Sequence, residues 1–155
     1  MLRSPSITST TAPNKRHAGV EKKVAHLNII QGVINRMGTD SFLIKGWSVV
    51  IVSALLALAA KDAHPMIVYV AFLPAIVFWP LDGYFLWQER LFRRLYDRAR
   101  VVGDEAIDFA MNPEASRPGA PTWLGAIFSK TLLMFHGAIL AAVVVAAFLL
   151  RQPGA

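Results

Sequence analysis

Three uninterrupted apolar segments divide the chain, and each is about as long as a helix that crosses a bilayer. They cover about residues 42–60, 65–87 and 131–150, and a membrane-spanning helix needs about 20 mostly apolar residues. The third segment has no polar face, unlike a helix on the surface of a soluble domain. A chain of 155 residues is also too short to surround three such helices with polar ones. The pattern predicts an all-α integral membrane protein with three transmembrane helices.

Helical periodicity continues beyond the first two apolar segments, which a short turn at residues 61–65 joins into a hairpin. Apolar side chains recur every three or four residues over 20–37 and again over 88–111, the spacing of one helix face. Residues 38–41 are expected to interrupt the first helix, because Gly suits a helix end and Thr or Asp can cap the next helix. The second stretch carries a heptad seam that is expected to pack against the first. The seam consists of Phe92, Leu95, Ala99, Val102, Ala106 and Phe109.

Composition divides the chain into four regions. Residues 1–18 are polar and rich in Ser, Thr and Pro, which predicts a disordered N-terminal tail. Residues 19–111 form the predicted transmembrane hairpin with its helical extensions. Residues 112–121 contain three prolines that prevent a continuous helix, so they are predicted to be a linker. Residues 122–155 hold the third transmembrane helix and a short tail.

Charge predicts the orientation of this protein in the membrane. The chain is 55% hydrophobic and 17% charged, with a net charge of +6, which is too apolar for a typical soluble domain. Fourteen of the 16 lysines and arginines lie in residues 1–45 or 88–130. Because short loops rich in Lys and Arg stay in the cytoplasm, the N-terminus and the 88–130 segment are predicted to be cytoplasmic. Four tryptophans at the same ends of the spans suit the headgroup level. They are Trp47, Trp79, Trp87 and Trp123.

Two charged residues are expected to form an intramembrane ion pair. Lys45 and Asp82 lie just inside the same end of the first and second spans, and the register of the hairpin places them opposite each other. A charge at that depth is costly when alone and much less so when it is paired. In the alternative, Lys45 extends to the lipid headgroups and Asp82 faces interfacial water.

The third span carries one ionisable residue and a face of small side chains. His136 is a candidate for a proton relay, a pore lining or a pH-dependent gate, or else a neutral imidazole that bonds a neighbouring helix. Gly137 and Ala141 lie four residues apart, as do Ser53 and Ala57 in the first span. Small residues at this spacing allow helices to approach closely, so both pairs are candidates for helix packing in a homo-oligomer.

The stretch that follows the second span is basic and amphipathic. Arg90, Arg93, Arg94 and Arg98 predict a surface for lipid headgroups or for a cytoplasmic protein partner. Aromatic residues spaced along a groove for base stacking are missing, so no nucleic acid is expected as a partner.

No constellation of catalytic residues is evident in the sequence. Cysteine is absent and the four histidines are scattered over different parts of the chain, and no recognised metal, nucleotide or hydrolase motif occurs. We therefore expect no enzyme activity, no cofactor and no metal site.

Two segments of the chain together resemble a pattern found in a family of small multi-helix bacterial membrane proteins. They are Lys45-Gly46-Trp47 and, at residues 78–97, FWPLDGYFLWQERLFRRLYD. The resemblance covers about residues 30–100 and leaves out the third span. It implies a bacterial inner membrane, and some proteins of this build are predicted effectors in phage-defence operons. It supplies no catalytic residues, but it singles out five positions in this chain. They are Lys45, Trp47, Asp82, Glu89 and Arg90.

Three functions are consistent with the sequence. The first is an oligomeric inner-membrane effector of a defence or toxin system, which forms a pore or disrupts the membrane. The second is a non-conducting membrane anchor or scaffold for a cytoplasmic partner. The third is a small proton-coupled transporter that uses His136 and Asp82.

Overall fold

The structure is a computed structural model that describes residues 15–62 and 65–151, and this described part is 86% helix and contains no strands. The predicted disordered tail at 1–18 lies outside the described residues except for its last four, which are helical. Two residues of the predicted turn, Ala63 and His64, also lie outside the described part.

Two long helices form an antiparallel hairpin. Helix α1 covers Lys15–Asp62 with 48 residues, and α2 covers Pro65–Val101 with 37 residues. At about 1.5 Å per residue they extend roughly 72 and 55 Å, whereas the apolar core of a bilayer is about 30 Å thick. Each helix is therefore much longer than a membrane span requires.

Helix α1 passes through residues 38–41 without interruption, so the predicted break at this point is wrong. The hydroxyl of Thr39 donates to the carbonyl oxygen of Asn35 at 3.0 Å, one turn back, instead of capping a new helix. Packing of the two hairpin arms outweighs the weak local preference of Gly38 for a helix end.

Helix α2 ends at Val101, so the prediction that it continues to about Met111 is also wrong. The chain becomes extended at Gly103, the position where helix propensity is lowest. The ammonium of Lys23 on α1 donates to the carbonyl oxygen of Val102 at 2.8 Å and lies 3.1 Å from the carboxylate of Asp104. A cation at a helix C-terminus stabilises the unpaired carbonyl groups there.

The early end of α2 divides the predicted seam. Leu95 and Ala99 are buried in a small core with Ile30 and Ile34, and Phe92 packs against that core. The remaining three seam residues, Val102, Ala106 and Phe109, follow the end of α2. Phe109 instead brings its ring edge-on to His26, with ring centroids 5.4 Å apart.

The connection to the third span contains short helical turns. Two 3₁₀ helices cover Asp104–Ala106 and Pro113–Ser116, and the second lies inside the predicted linker at 112–121. Helix α3 then covers Trp123–Ile127, and α4 covers Lys130–Leu149. Helix α4 matches the third predicted span to within one residue at each end.

A second core holds the three long helices together. It contains small and branched residues from α1, α2 and α4. Three of them are fully buried alanines, whose small side chains allow the helix backbones to approach closely. Its buried members are Val52, Ala59, Val68, Ala71, Ala75 and Val143.

Three of the described helices, α1, α2 and α4, are long and apolar enough to cross a membrane, by length and composition. Only 17%, 28% and 17% of the residues in their most apolar stretches are buried inside the chain. The remaining apolar surface faces outward. This is the distribution expected where lipid or another copy covers it, because large exposed apolar patches are rare on soluble proteins.

Candidate functional site

The carboxylate of Asp82 is the centre of a buried polar cluster that joins the three long helices α1, α2 and α4. Asp82 is fully buried. It accepts a hydrogen bond from the hydroxyl of Ser41 at 2.5 Å. The ammonium of Lys45 lies 2.8 Å from its Oδ1 and 2.7 Å from its Oδ2. Nε2 of His136 lies 3.0 Å from Oδ2. Helices α1, α2 and α4 thus meet at one side chain.

Helix α1 supplies two hydrogen-bond donors to Asp82 from one face. Ser41 and Lys45 are four residues apart, the spacing that stacks side chains on adjacent turns, and Lys45 also donates to the Ser41 hydroxyl at 2.8 Å. The predicted Lys45–Asp82 pair therefore includes a third member. A buried ion pair is tolerated when further hydrogen bonds satisfy its remaining lone pairs, and Ser41 and His136 provide these bonds to Asp82.

His136 connects α4 to the hairpin. The residue is fully buried, and because a carboxylate only accepts, Nε2 is the donor to Asp82. The indole of Trp79 stacks on the imidazole with the ring planes 8° apart and the centroids 5.9 Å apart. Phe135 meets the same imidazole edge-on, with the ring centroids 5.1 Å apart. Nδ1 has no hydrogen-bond partner within the described residues, so the Nε2 bond is the polar contact that orients this ring.

Helix α3 covers the cluster. The side chain of Thr122 accepts a bond from the Gly125 N–H at 3.1 Å and so caps this short helix. The indole N–H of Trp79 donates to the carbonyl oxygen of Ile127 at 2.9 Å. Helix α3 approaches α2 closely at Gly83, next to Asp82, since a Cβ there would lie 2.5 Å from Cγ1 of Ile127.

This arrangement can fix the three spans relative to each other. The Asp82 carboxylate is fully engaged by a cation and two further donors, and aromatic side chains enclose the imidazole beside it. No group of three or more potential metal ligands occurs among the described residues. The geometry is that of a polar connection inside a helix bundle, the type of interhelical contact that membrane proteins use to specify packing.

The small-residue faces lie outside this cluster. Ser53, Ala57 and Ala141 are exposed, and a Cβ added at Gly137 would meet nothing within 4 Å. The hydroxyl of Ser53 donates back to the carbonyl oxygen of Val49 on its own helix at 2.5 Å. These faces are therefore open to lipid or to another chain.

The arginines of the predicted basic face have different partners within the chain. Arg93 pairs with Glu89 one turn back at 2.7 Å, and Arg90 is half-buried. Arg94 donates to the carbonyl oxygen of Gly119 at 2.6 Å, and Arg98 donates to that of Ala115 at 2.5 Å. The last two therefore hold the 112–121 segment against α2.

Loss of these two contacts is expected to loosen the 112–121 segment. In the double variant Arg94→Gln/Arg98→Gln we expect cleavage within 112–121 by a protease of broad specificity to become about fivefold faster, because exposed hydrogen bonds contribute about 1 kcal/mol to local stability. Mass spectrometry of the fragments measures the rate. The control is Arg93→Gln, since Arg93 pairs within its own helix. Equal rates in all three proteins would contradict this role of Arg94 and Arg98.

Several members of the cluster were not identified from the sequence. The sequence pattern places Ser41 in a helix break and Trp79 at the membrane interface, and it singles out neither Gly83 nor Ile127. The four-residue spacing of Ser41 and Lys45 was a usable signal for one shared helix face. No comparable signal places α3 over Gly83, because helical periodicity describes a helix and not its neighbours.

Comparison with models of protein families, with curated proteins and with solved structures finds no match for this chain.

Proposed function

We propose that this protein is a non-conducting membrane anchor that presents its helical hairpin to a cytoplasmic protein partner. The observation that carries this proposal is the inward position of the ionisable groups in the spans. Asp82 and His136 are fully buried against each other, and Lys45 is only 21% exposed. A water-filled pore needs polar groups on a surface that assembled copies can turn toward a channel, whereas these groups are bonded inside one chain.

The length of the hairpin supports the presenting role. Helix α1 exceeds the thickness of the bilayer core by roughly 40 Å, and this extra length is stabilised by its own small core around Ile30 and Leu95. The distribution of Lys and Arg supports a cytoplasmic location for this end of the hairpin. The resemblance over residues 30–100 favours a bacterial inner membrane. Lys22 lies exposed on this end of the hairpin, so an acidic partner surface suits the hairpin best.

A pore-forming, oligomeric effector is the second candidate. The open faces at Gly137 and Ala141 favour contacts between copies, since small residues allow close helix packing. A role for Asp82 and His136 in conduction would require both side chains to leave their buried cluster. The proton-coupled transporter requires the same change.

Two measurements on the full chain test the anchor. In proteoliposomes we expect no proton or dye flux above that of empty vesicles. In cells, a photo-reactive residue at Ile29, which is 50% exposed on the hairpin, is expected to cross-link one partner protein. That partner should leave the membrane fraction when this chain is deleted. The matched control is the same residue at Leu73 in the second span, which is 66% exposed. Flux that His136→Phe abolishes, or cross-links from Ile29 only to other copies, would refute the anchor and favour the effector or transporter.

A further inference from the structure

An open apolar groove lies between α1 and α4, on the outside of the bundle. The volume of this groove is about 700 Å³. Val49 forms the α1 side, and the α4 side is a stripe of residues that recur at helical spacing. Among them, Ala138 and Ala142 are small side chains that leave the space open. Lys130, at the first turn of α4, stands at one end of the groove.

The groove has the dimensions of one lipid chain. From Lys130 to Ala142 the helix rises about 18 Å at ~1.5 Å per residue, and half of a bilayer's apolar core is about 15 Å thick. The lining ends at Ala142 although α4 continues to Leu149. A helix from a second copy would be expected to contact α4 along most of its length. The groove instead occupies a single leaflet.

The position of Lys130 adds a charge preference. It is exposed at the N-terminal end of α4, where the partial positive charge of the helix dipole adds to that of the ammonium. A neighbouring helix seated in the groove would bury this cation without a partner. A phospholipid with an anionic headgroup instead supplies a phosphate at the level of Lys130 and an apolar chain along the groove.

We propose that this groove binds one anionic phospholipid, with its phosphate on the Lys130 ammonium and one acyl chain along Met134, Ala138 and Ala142. The site does not include Asp82 or His136, although Phe135 lines the groove and also meets the His136 ring. It does not depend on whether the protein is an anchor. It would fix how deeply and at what angle α4 sits in one leaflet.

Native mass spectrometry of the full chain tests the charge preference. The protein is purified with added phosphatidylglycerol or, separately, phosphatidylethanolamine with the same acyl chains. We expect one tightly retained phosphatidylglycerol per chain and much less phosphatidylethanolamine. Lys130→Gln should lower phosphatidylglycerol retention about fivefold, the effect of one basic residue at an anionic surface. Lys61→Gln, which removes the same charge at the far end of α1, should leave it unchanged. Equal retention of both lipids, or equal loss in both variants, would overturn the proposal.

A second pair of variants tests where the acyl chain of the lipid lies. Ala138→Leu fills the groove and should reduce retention of both lipids, whereas Ala141→Leu adds the same volume to an exposed position that does not line it. Because the protein contains no cysteine, Ala138→Cys introduces a single thiol at the groove. Ready disulfide formation between two copies in vesicles of phosphatidylglycerol would show that a second chain occupies the groove and would refute the lipid site.

Discussion

Asp82→Asn is expected to destabilise the folded protein by about 3 kcal/mol, because it leaves the partly buried ammonium of Lys45 without its carboxylate. The Asn side chain has nearly the same volume, so the change removes charge and not packing. The expected loss lies at the lower end of the range for buried ion pairs because Lys45 is 21% exposed and can turn toward the lipid headgroups. Reversible unfolding in mixed detergent micelles with increasing SDS, followed by tryptophan fluorescence, measures the change.

A double-mutant cycle separates the ion pair from the rest of the cluster. Lys45→Gln and the double variant Lys45→Gln/Asp82→Asn complete the cycle, and the double variant should be more stable than the sum of the single losses implies. The control is Glu89→Gln, which makes the same carboxylate-to-amide change in the surface pair with Arg93. We expect it to cost about 0.5 kcal/mol or less. If Asp82→Asn costs no more than Glu89→Gln, the cluster does not hold the spans together.

The positions of the helices were largely predictable from the sequence, because long apolar runs and helical periodicity are local properties. Helix α4 begins and ends within one residue of the apolar run that predicts it. Helix ends were less predictable, since tertiary contacts determine them. Residues 38–41 carry helix-stopping signals but lie inside α1, and apolar periodicity continues to Met111 although α2 ends at Val101. There, Lys23 binds the chain just beyond the helix end.

The candidate site was predictable only where the hairpin determines it. Antiparallel register alone brings Lys45 opposite Asp82, and the structure has their charged groups 2.7 Å apart. His136 belongs to a helix whose position relative to the hairpin depends on the 102–129 connection, for which no periodic rule exists. Its contact with Asp82 follows from α3, which packs on α2 and places the second turn of α4 beside the cluster. The residue that permits this approach, Gly83, looks in the sequence like any other glycine in a helix.

Gly83→Ala tests that close approach, and we expect a loss of about 1–2 kcal/mol in the free energy of unfolding. The added Cβ would lie 2.5 Å from Cγ1 and 3.1 Å from Cα of Ile127, so α3 must move, and such overpacking costs about 1–3 kcal/mol. The better helix propensity of Ala offsets up to about 1 kcal/mol of this cost. Gly46→Ala is the matched control, because a Cβ there meets nothing within 4 Å. It should stabilise the protein slightly, so the two glycine substitutions are expected to have opposite signs.

The partner in this contact can be identified by combining Gly83→Ala with Ile127→Ala. Truncation of Ile127 removes the nearer of the two clashing atoms, so Gly83→Ala should cost clearly less in that background than in the native chain. A cost that stays the same would mean that α3 does not lie on Gly83. That result would also argue against the hydrogen bond from Trp79 to the carbonyl oxygen of Ile127, because this bond depends on the same position of α3. Trp79 would then lack the contact that holds its indole against His136.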